Sequence, residues 1–231
     1  MSITAFTDGS SRGNPGPGGY GAIVRTEKLV VELGGREEPT TNNRMEILAA
    51  ISALEWIRLE KMEKENIAVN SDSKYVIQGI TSWVFGWQRN GWKTAAKEDV
   101  VNRDLWERLS RAAHGLKINW VYVKGHAGHP GNERCDDIAT SCADMTDPHL
   151  YTGPRDLYTI DLDAKPTSAL ASKKKSSSAK AFSYLSFVDG ILEIHKTWAE
   201  CEARVKGVKG AKFKKSVSKE DEEEIRKGWG I

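Results

Sequence analysis

Four acids carry the clearest chemical potential of this 231-residue chain. Asp8 follows the apolar residues Ile3, Ala5 and Phe6 and stands before the Gly/Pro cluster of "AFTDGSSRGNPGPGGYGA". Glu46 falls in the first turn of the helical pattern "TTNNRMEILAAISALEWIRLEK". Asp72 ends the apolar run Ile67–Asn70, and Asp136, in "GHAGHPGNERCDDIA", lies at or near the start of a helix behind the strand-like "KINWVYVK". Taken singly each is ordinary, since acids cap turns and favour the first turn of helices. Brought together they would repel one another and hold their protons unless a cation neutralised them. The cation that suits an all-carboxylate site is hard and oxygen-seeking, Mg²⁺ or Mn²⁺. A zinc site built from His126, His129, Cys135 and Cys142 fits no common ligand spacing.

The elements that must position these acids follow from periodicity. The first strand is expected to stop on Asp8, with a tight reversal behind it. In the helix around Glu46, Thr and Asn are available as N-caps, and Ile47, Ala50, Ile51, Leu54 and Ile57 form one stripe. Glu46 sits at the edge of that stripe and points inward or nearly so. Strand-like and helix-like runs alternate over residues 1–147, which predicts an α/β domain. Residues 148–180 lose the periodicity and finish in Lys, Ser and Ala, as a linker does. Residues 181–231 read as a second, small α+β domain, with a hairpin about Asp189-Gly190 and a helix opening at "TWAECEARV". Within it residues 203–219 hold seven Lys or Arg and no acid, with Phe213 among them, a basic patch interleaved with an aromatic. The acids Glu220 to Glu224 read as a helix start behind the cap Ser218.

Composition narrows the class. With 39% hydrophobic and 29% charged residues the chain reads as soluble and globular, and a formal net charge of +2 means that a polyanion must be met by local patches. The longest apolar stretch, Ile47 to Ile57, is interrupted by polar residues and too short for a bilayer. No basic-then-apolar signal opens the chain, and three cysteines without C-x-x-C spacing suit a reducing compartment, so a cytoplasmic location is expected.

The motifs "TDGSSRGNPGPGGYGA", "TTNNRMEILAAISALE", "NSDSKYVIQGI", "NGWKT", "NRDLWERL" and "VKGHAGHPGNERCDDIA", in that order, resemble the type 1 ribonuclease H family. The resemblance covers nearly all of residues 1–147. It implies a five-stranded mixed sheet flanked by helices, and an endonuclease that hydrolyses the RNA strand of an RNA–DNA hybrid to 5′-phosphate and 3′-hydroxyl ends. It also implies two Mg²⁺ ions, or Mn²⁺, held by Asp8, Glu46, Asp72 and Asp136, with His126 as the loop histidine that transfers protons and aids product release. Contacts to the 2′-hydroxyl fall by the same resemblance on Asn14, Asn42, Asn43 and Glu46. DNA phosphate contacts fall on Thr41 and Asn90, with Arg44 a nearby cation. "WVFGWQRNGWKT" resembles the family's basic protrusion, with Trp87 in the DNA groove, but "QRN" has one cation where many relatives have three. The tail resembles the viroplasmin-like hybrid-binding domain. That implies stacking by Tyr184 and Trp198 and phosphate contacts from Lys212, Lys214 and Lys215. The expected partner is a hybrid, with no membrane and a monomeric chain; the alternative is a hybrid-binding adaptor without catalysis.

Overall fold

The apolar residues Ile3, Ala5 and Phe6 form strand β1, Ser2–Ser11, which runs three residues past Asp8 instead of stopping on it. The glycines behind it do not make the reversal either. Gly16–Arg25 is strand β2, paired antiparallel with β1 so that Asp8 faces Gly21 and Ser11 faces Gly18. The turn is confined to residues 12–15, closed by the Arg12 N–H donating to the Pro17 carbonyl at 2.7 Å. Glycine is required at position 21 for another reason. A Cβ there would run into the Cys135 carbonyl, so its absence lets helix α5, Pro130–Ala143, lie directly on the sheet.

The computed structural model describes residues 2–164, 181–188, 190–208 and 211–229, in two units, 1–171 and 172–231. In the first, β3 (Leu29–Thr40) follows β2, then α1 (Asn42–Leu59) and β4 (Asn66–Ser71). A broken helical segment comes next, α2 (Lys74–Gln78), a π-helical turn (Gly79–Trp83) and α3 (Val84–Arg89), then α4 (Arg103–Ala113), β5 (Lys117–Tyr122) and α5. The sheet order is β5-β4-β1-β2-β3-β6, with β1–β4 and β4–β5 parallel and the other pairs antiparallel. Side chains alternate across the sheet. Ile3, Ala5, Ala22 and Val24 pack with α1 and α4, whereas Phe6, Ile23 and Val30 pack with Cys135 of α5. The whole expected stripe of α1 is buried.

A short sixth strand, β6 (Thr152–Pro154), adds to the expected five-stranded mixed sheet at its β3 edge, within residues expected as linker. Residues 148–164 form a strap. β6 pairs with the free edge of β3, Leu162 is buried against Phe6 and Ile23, and Tyr151, Tyr158 and Ile160 pack around it. Arg25 and Arg155 both ion-pair with Asp163, at 2.5 and 3.0 Å. Polar composition hid this segment, because its few apolar residues follow no period. The rest of the expected linker, residues 165–180, lies outside the described residues. A chain ending at residue 147 is therefore expected to be less stable than one ending at 164. The loss should be about 3 kcal/mol, or about 6–12 °C in melting temperature, because an apolar face and a buried carboxylate lose their cover. Thermal melts of the two truncations check this, and equal midpoints would refute it.

In the second unit β7 (Ser183–Val188) sits between β8 (Ile191–His195) and β9 (Lys212–Ser216), all antiparallel, with α6 (Trp198–Val205) and α7 (Lys219–Trp229). The hairpin is present, although Asp189 of its turn lies outside the described residues. Thr197 and Glu200 form a reciprocal cap at the start of α6. The Ser218 hydroxyl accepts the Asp221 N–H at 3.2 Å, as a cap for the acid run should.

Candidate active site

The acids meet because neighbouring parallel strands share a register. Thr7 of β1 lies opposite Ser71 of β4, so the next residues, Asp8 and Asp72, emerge side by side where the β4 ladder ends. Glu46, expected in the first turn, is the fifth residue of α1 and reaches them from the start of its second turn. That turn approaches β1 closely only because residue 9 is glycine, since a Cβ on Gly9 would strike the Glu46 and Met45 backbone. Asp8, Glu46 and Asp72 each offer an oxygen within 4.8 Å of the others'. Among the described residues this is the one such group of three acids, histidines or cysteines. Asp136 borders it from α5, near enough for its charge to bear on Asp8.

The electrostatics are those of crowded, buried carboxylates. Burial, then the charges of Asp72 and Asp136, push Asp8 up to about 8, against which the Gly9 N–H donating to Asp8 Oδ1 at 2.7 Å is too weak. Burial, then Asp8 and Asp72, hold Glu46 well above the usual carboxylate range. Glu46 Oε1 accepts from Asn42 Nδ2 at 3.4 Å, while Glu46 Oε2 is buried with no hydrogen-bond partner. Asn132 Nδ2 donates to Asp72 Oδ2 at 3.3 Å, and Asn132 Oδ1 is likewise buried and unpartnered. Oxygen donors that cannot all ionise, with a lone pair left aimed inward, fit a hard divalent cation.

His126 lies in the loop before α5, exposed, in the left-handed region (φ 50°), with Nδ1 3.8 Å from Asp136 Oδ2. It stands at the rim of the acid cluster. The rival zinc ligands do not bring three ligand atoms together: Cys135 is fully buried beside Phe6, and the His129 ring leans on Phe6 with centroids 5.1 Å apart.

The remaining candidates divide. Asn14, Asn42, Asn43 and Asn90 are all exposed. Thr41 is the N-cap of α1, accepting the Arg44 N–H at 3.4 Å, so Asn42 and Asn43 are not needed as caps. Arg44 is not a free cation. It forms a two-point pair with Asp104 at 2.9 and 3.0 Å and lies 3.7 Å from Glu37. The Trp87 ring packs between Trp83 and the fully buried Trp106, with centroids 5.8 and 5.7 Å away, and Trp83 and Phe85 are the more exposed aromatics of that segment. In the second unit Trp198 bridges Tyr184 (5.7 Å) and Phe213 (5.5 Å) as one partly exposed aromatic face. Strand alternation puts Lys215 on that face, opposite Tyr184, and sends Lys212 and Lys214 to the other, where Lys212 lies over Phe187. Asn132, Glu32 and Arg134 escaped sequence reasoning altogether. A charged residue inside the apolar "LVVELGG" was the one available signal, for Glu32.

Residues 1–144 match the family described as RNase H, and residues 192–222 match the family described as Ribonuclease H1 N-terminal domain. A ribonuclease H of Bradyrhizobium sp. (strain ORS 278) is 56% identical over 137 residues, 59% of this chain and 86% of that protein. One from Brucella anthropi is 51% identical over 155 residues, 67% of this chain and 96% of that protein. Among solved structures, LC9-RNase H1, described as a type 1 RNase H with the type 2 active-site motif, superposes with a TM-score of 0.58 at 29% identity. That match covers 65% of this chain and 76% of the other.

Proposed function

Because the chain belongs to the ribonuclease H family, a family of RNA-cleaving hydrolases, we propose that it cuts the RNA strand of RNA–DNA hybrids with the acid cluster as its metal centre. The observation that carries this reading is the convergence of Asp8, Glu46 and Asp72, with an unpartnered buried oxygen on Glu46. Asp8, Glu46, Asp72 and Asp136 would hold two divalent ions, Mg²⁺ or Mn²⁺. When bound, such ions activate a water for in-line attack and neutralise charge on the leaving oxygen. His126, exposed at the rim on a loop, moves a proton between the site and solvent and eases product departure. Asn42, hydrogen-bonded to Glu46, and the exposed Asn43 and Asn14 supply the small polar groups that sense a 2′-hydroxyl. Arg44 has no such role in this proposal, because Asp104 and Glu37 already neutralise it.

Labelled hybrid incubated with and without Mg²⁺ tests the reading. RNA fragments ending in 5′-phosphate and 3′-hydroxyl, with duplex DNA left intact, are expected. Terminal 2′,3′-cyclic phosphates would exclude it, because they require the RNA's own hydroxyl as nucleophile, and binding without cleavage would leave an adaptor.

We assign catalysis to residues 1–164 and a hybrid grip to residues 181–231. Tyr184, Trp198 and Phe213 are the stacking platform and Lys215 the cation beside it, with Lys212 and Lys214 reaching phosphate from the opposite face. Trp198→Ala is expected to weaken hybrid binding of the full chain about tenfold and leave kcat unchanged. Loss of each phosphate-contacting lysine should flatten the salt dependence by about 0.9 in log slope. Titrations at several salt concentrations check both, and unaltered affinity of Trp198→Ala would remove the platform.

A further inference from the structure

Glu32 is a buried charge that the hydrolytic chemistry does not use. Its side chain is 1% exposed in the middle of β3, and both its oxygens accept from Arg134, at 2.8 Å from Nε and 2.7 Å from Nη2. The strap completes the shell. The Tyr158 hydroxyl donates to Glu32 Oε1 at 2.6 Å and the Tyr151 N–H to Glu32 Oε2 at 2.9 Å, while Arg134 Nη2 donates to the Pro148 and His149 carbonyls at 2.8 and 3.2 Å. Burial alone would raise the Glu32 pKa, but these donors outweigh it and hold the carboxyl below the usual range. A buried ion pair of this kind is a poor source of net stability compared with a packed apolar pair, and its best-attested use is to specify one arrangement.

The arrangement in question is the first two turns of α5. Asn132 donates to Asp72, Glu133 accepts the Gly128 N–H of the His126 loop at 3.0 Å, Cys135 is buried against Phe6 and Leu162, and Asp136 follows. Every one of these residues lies within two positions of Arg134. We propose that the Glu32–Arg134 pair, closed by Tyr158 of the strap, is a positioning device that sets Asn132 and Asp136 against the acids of β1 and β4. The proposal rests on Asp136 being a metal ligand, as proposed above. Glu32, Arg134 and Tyr158 are then positioning residues, with Arg134 on the face of α5 opposite Asn132 and Asp136. The 148–164 segment becomes a functional part of the catalytic unit.

The test uses the full chain and four variants, Tyr158→Phe, Glu32→Gln, Leu162→Ala and Asp136→Asn, each followed by Mn²⁺ calorimetry, thermal melting and hybrid kinetics. Tyr158→Phe and Glu32→Gln should weaken Mn²⁺ binding about tenfold and raise the Mg²⁺ concentration for half-maximal activity in step, with KM for the hybrid unchanged. Leu162→Ala removes strap packing without touching Arg134, so it should lower the melting temperature and leave Mn²⁺ affinity alone. If Glu32→Gln fails to fold, Tyr158→Phe decides alone. Normal Mn²⁺ binding by Tyr158→Phe, or equal weakening by Leu162→Ala, overturns the positioning role. Normal Mn²⁺ binding and cleavage by Asp136→Asn overturns the reading of the metal centre on which it rests.

Discussion

Asp72→Asn is expected to abolish hybrid cleavage, by about 10³-fold or more, in a chain that remains folded. The substitution keeps volume and hydrogen-bonding shape, opens no cavity, and removes one charged donor from a cluster whose charge is its function. Circular dichroism should be unchanged and Mn²⁺ affinity lost; near wild-type turnover would sink the assignment. The same crowding predicts that neutralising one of the acids raises stability when metal is withheld. Asp8 sits near 8 in the folded chain, far above the value of about 3.8 expected for an unfolded aspartate. Between those values the folded state binds more protons than the unfolded one, so stability is fully present below about pH 4 and is lost as pH rises through 8. In EDTA the wild-type melting temperature should therefore carry a downward contribution across this window. Asp8→Asn removes that contribution and should melt roughly 4–8 °C higher at pH 8, although it is inactive. Equal melting of the two in EDTA at pH 8 would show that the acids do not strain one another. Saturating Mg²⁺ should reverse the order, because ions that bind only the folded wild type stabilise it alone.

The second large effect belongs to His126. His126→Ala should slow steady-state cleavage by roughly 10²- to 10⁴-fold and leave Mn²⁺ and hybrid binding intact. Its ring is exposed, and Nδ1 lies 3.8 Å from Asp136, at the rim of the cluster, which suits a group that moves protons in and out. Alanine is less at ease than histidine at this positive φ, but the strain is confined to an exposed loop, so the sheet and helices should keep their fold. Single-turnover and multiple-turnover rates separate the roles: a fall in both marks proton transfer, and a fall in multiple turnover alone marks product release. Loss of Mn²⁺ affinity would make His126 a ligand instead, and unchanged rates would remove it from the mechanism.

How much of this was legible in advance depends on the range of the interaction. Local patterns were readable: the stripe of α1, the hairpin of the second unit, the start of α6 and the Ser218 cap of α7 are set by residues within a few positions of one another. The acids could be singled out because each stands at a break in hydrophobic periodicity. Type and spacing along the chain could not tell where Asp8 sits. The sequence reads as a strand that stops there, whereas β1 continues to Ser11, because a ladder of glycines in β2 can pair with it and still admit α5. Nor could spacing show that α4 would supply Asp104 as a partner for Arg44 and Trp106 as a ring beside Trp87.

By itself the sequence determined the family resemblance, the four carboxylates that would call for a hard cation if brought together, and most of the helices and strands that carry them. The tertiary structure alone decided that Asp8, Glu46 and Asp72 meet, with Asp136 at their border. Asp8 and Asp72 are neighbours because β1 and β4 pair in parallel with Thr7 opposite Ser71, a register chosen by the whole buried face of the sheet. Glu32 and Arg134 are partners across 102 positions, and the strap that seals them reads as linker, because its few buried side chains follow no period. Periodicity records which face of an element is apolar, and it is silent on which distant element will cover that face.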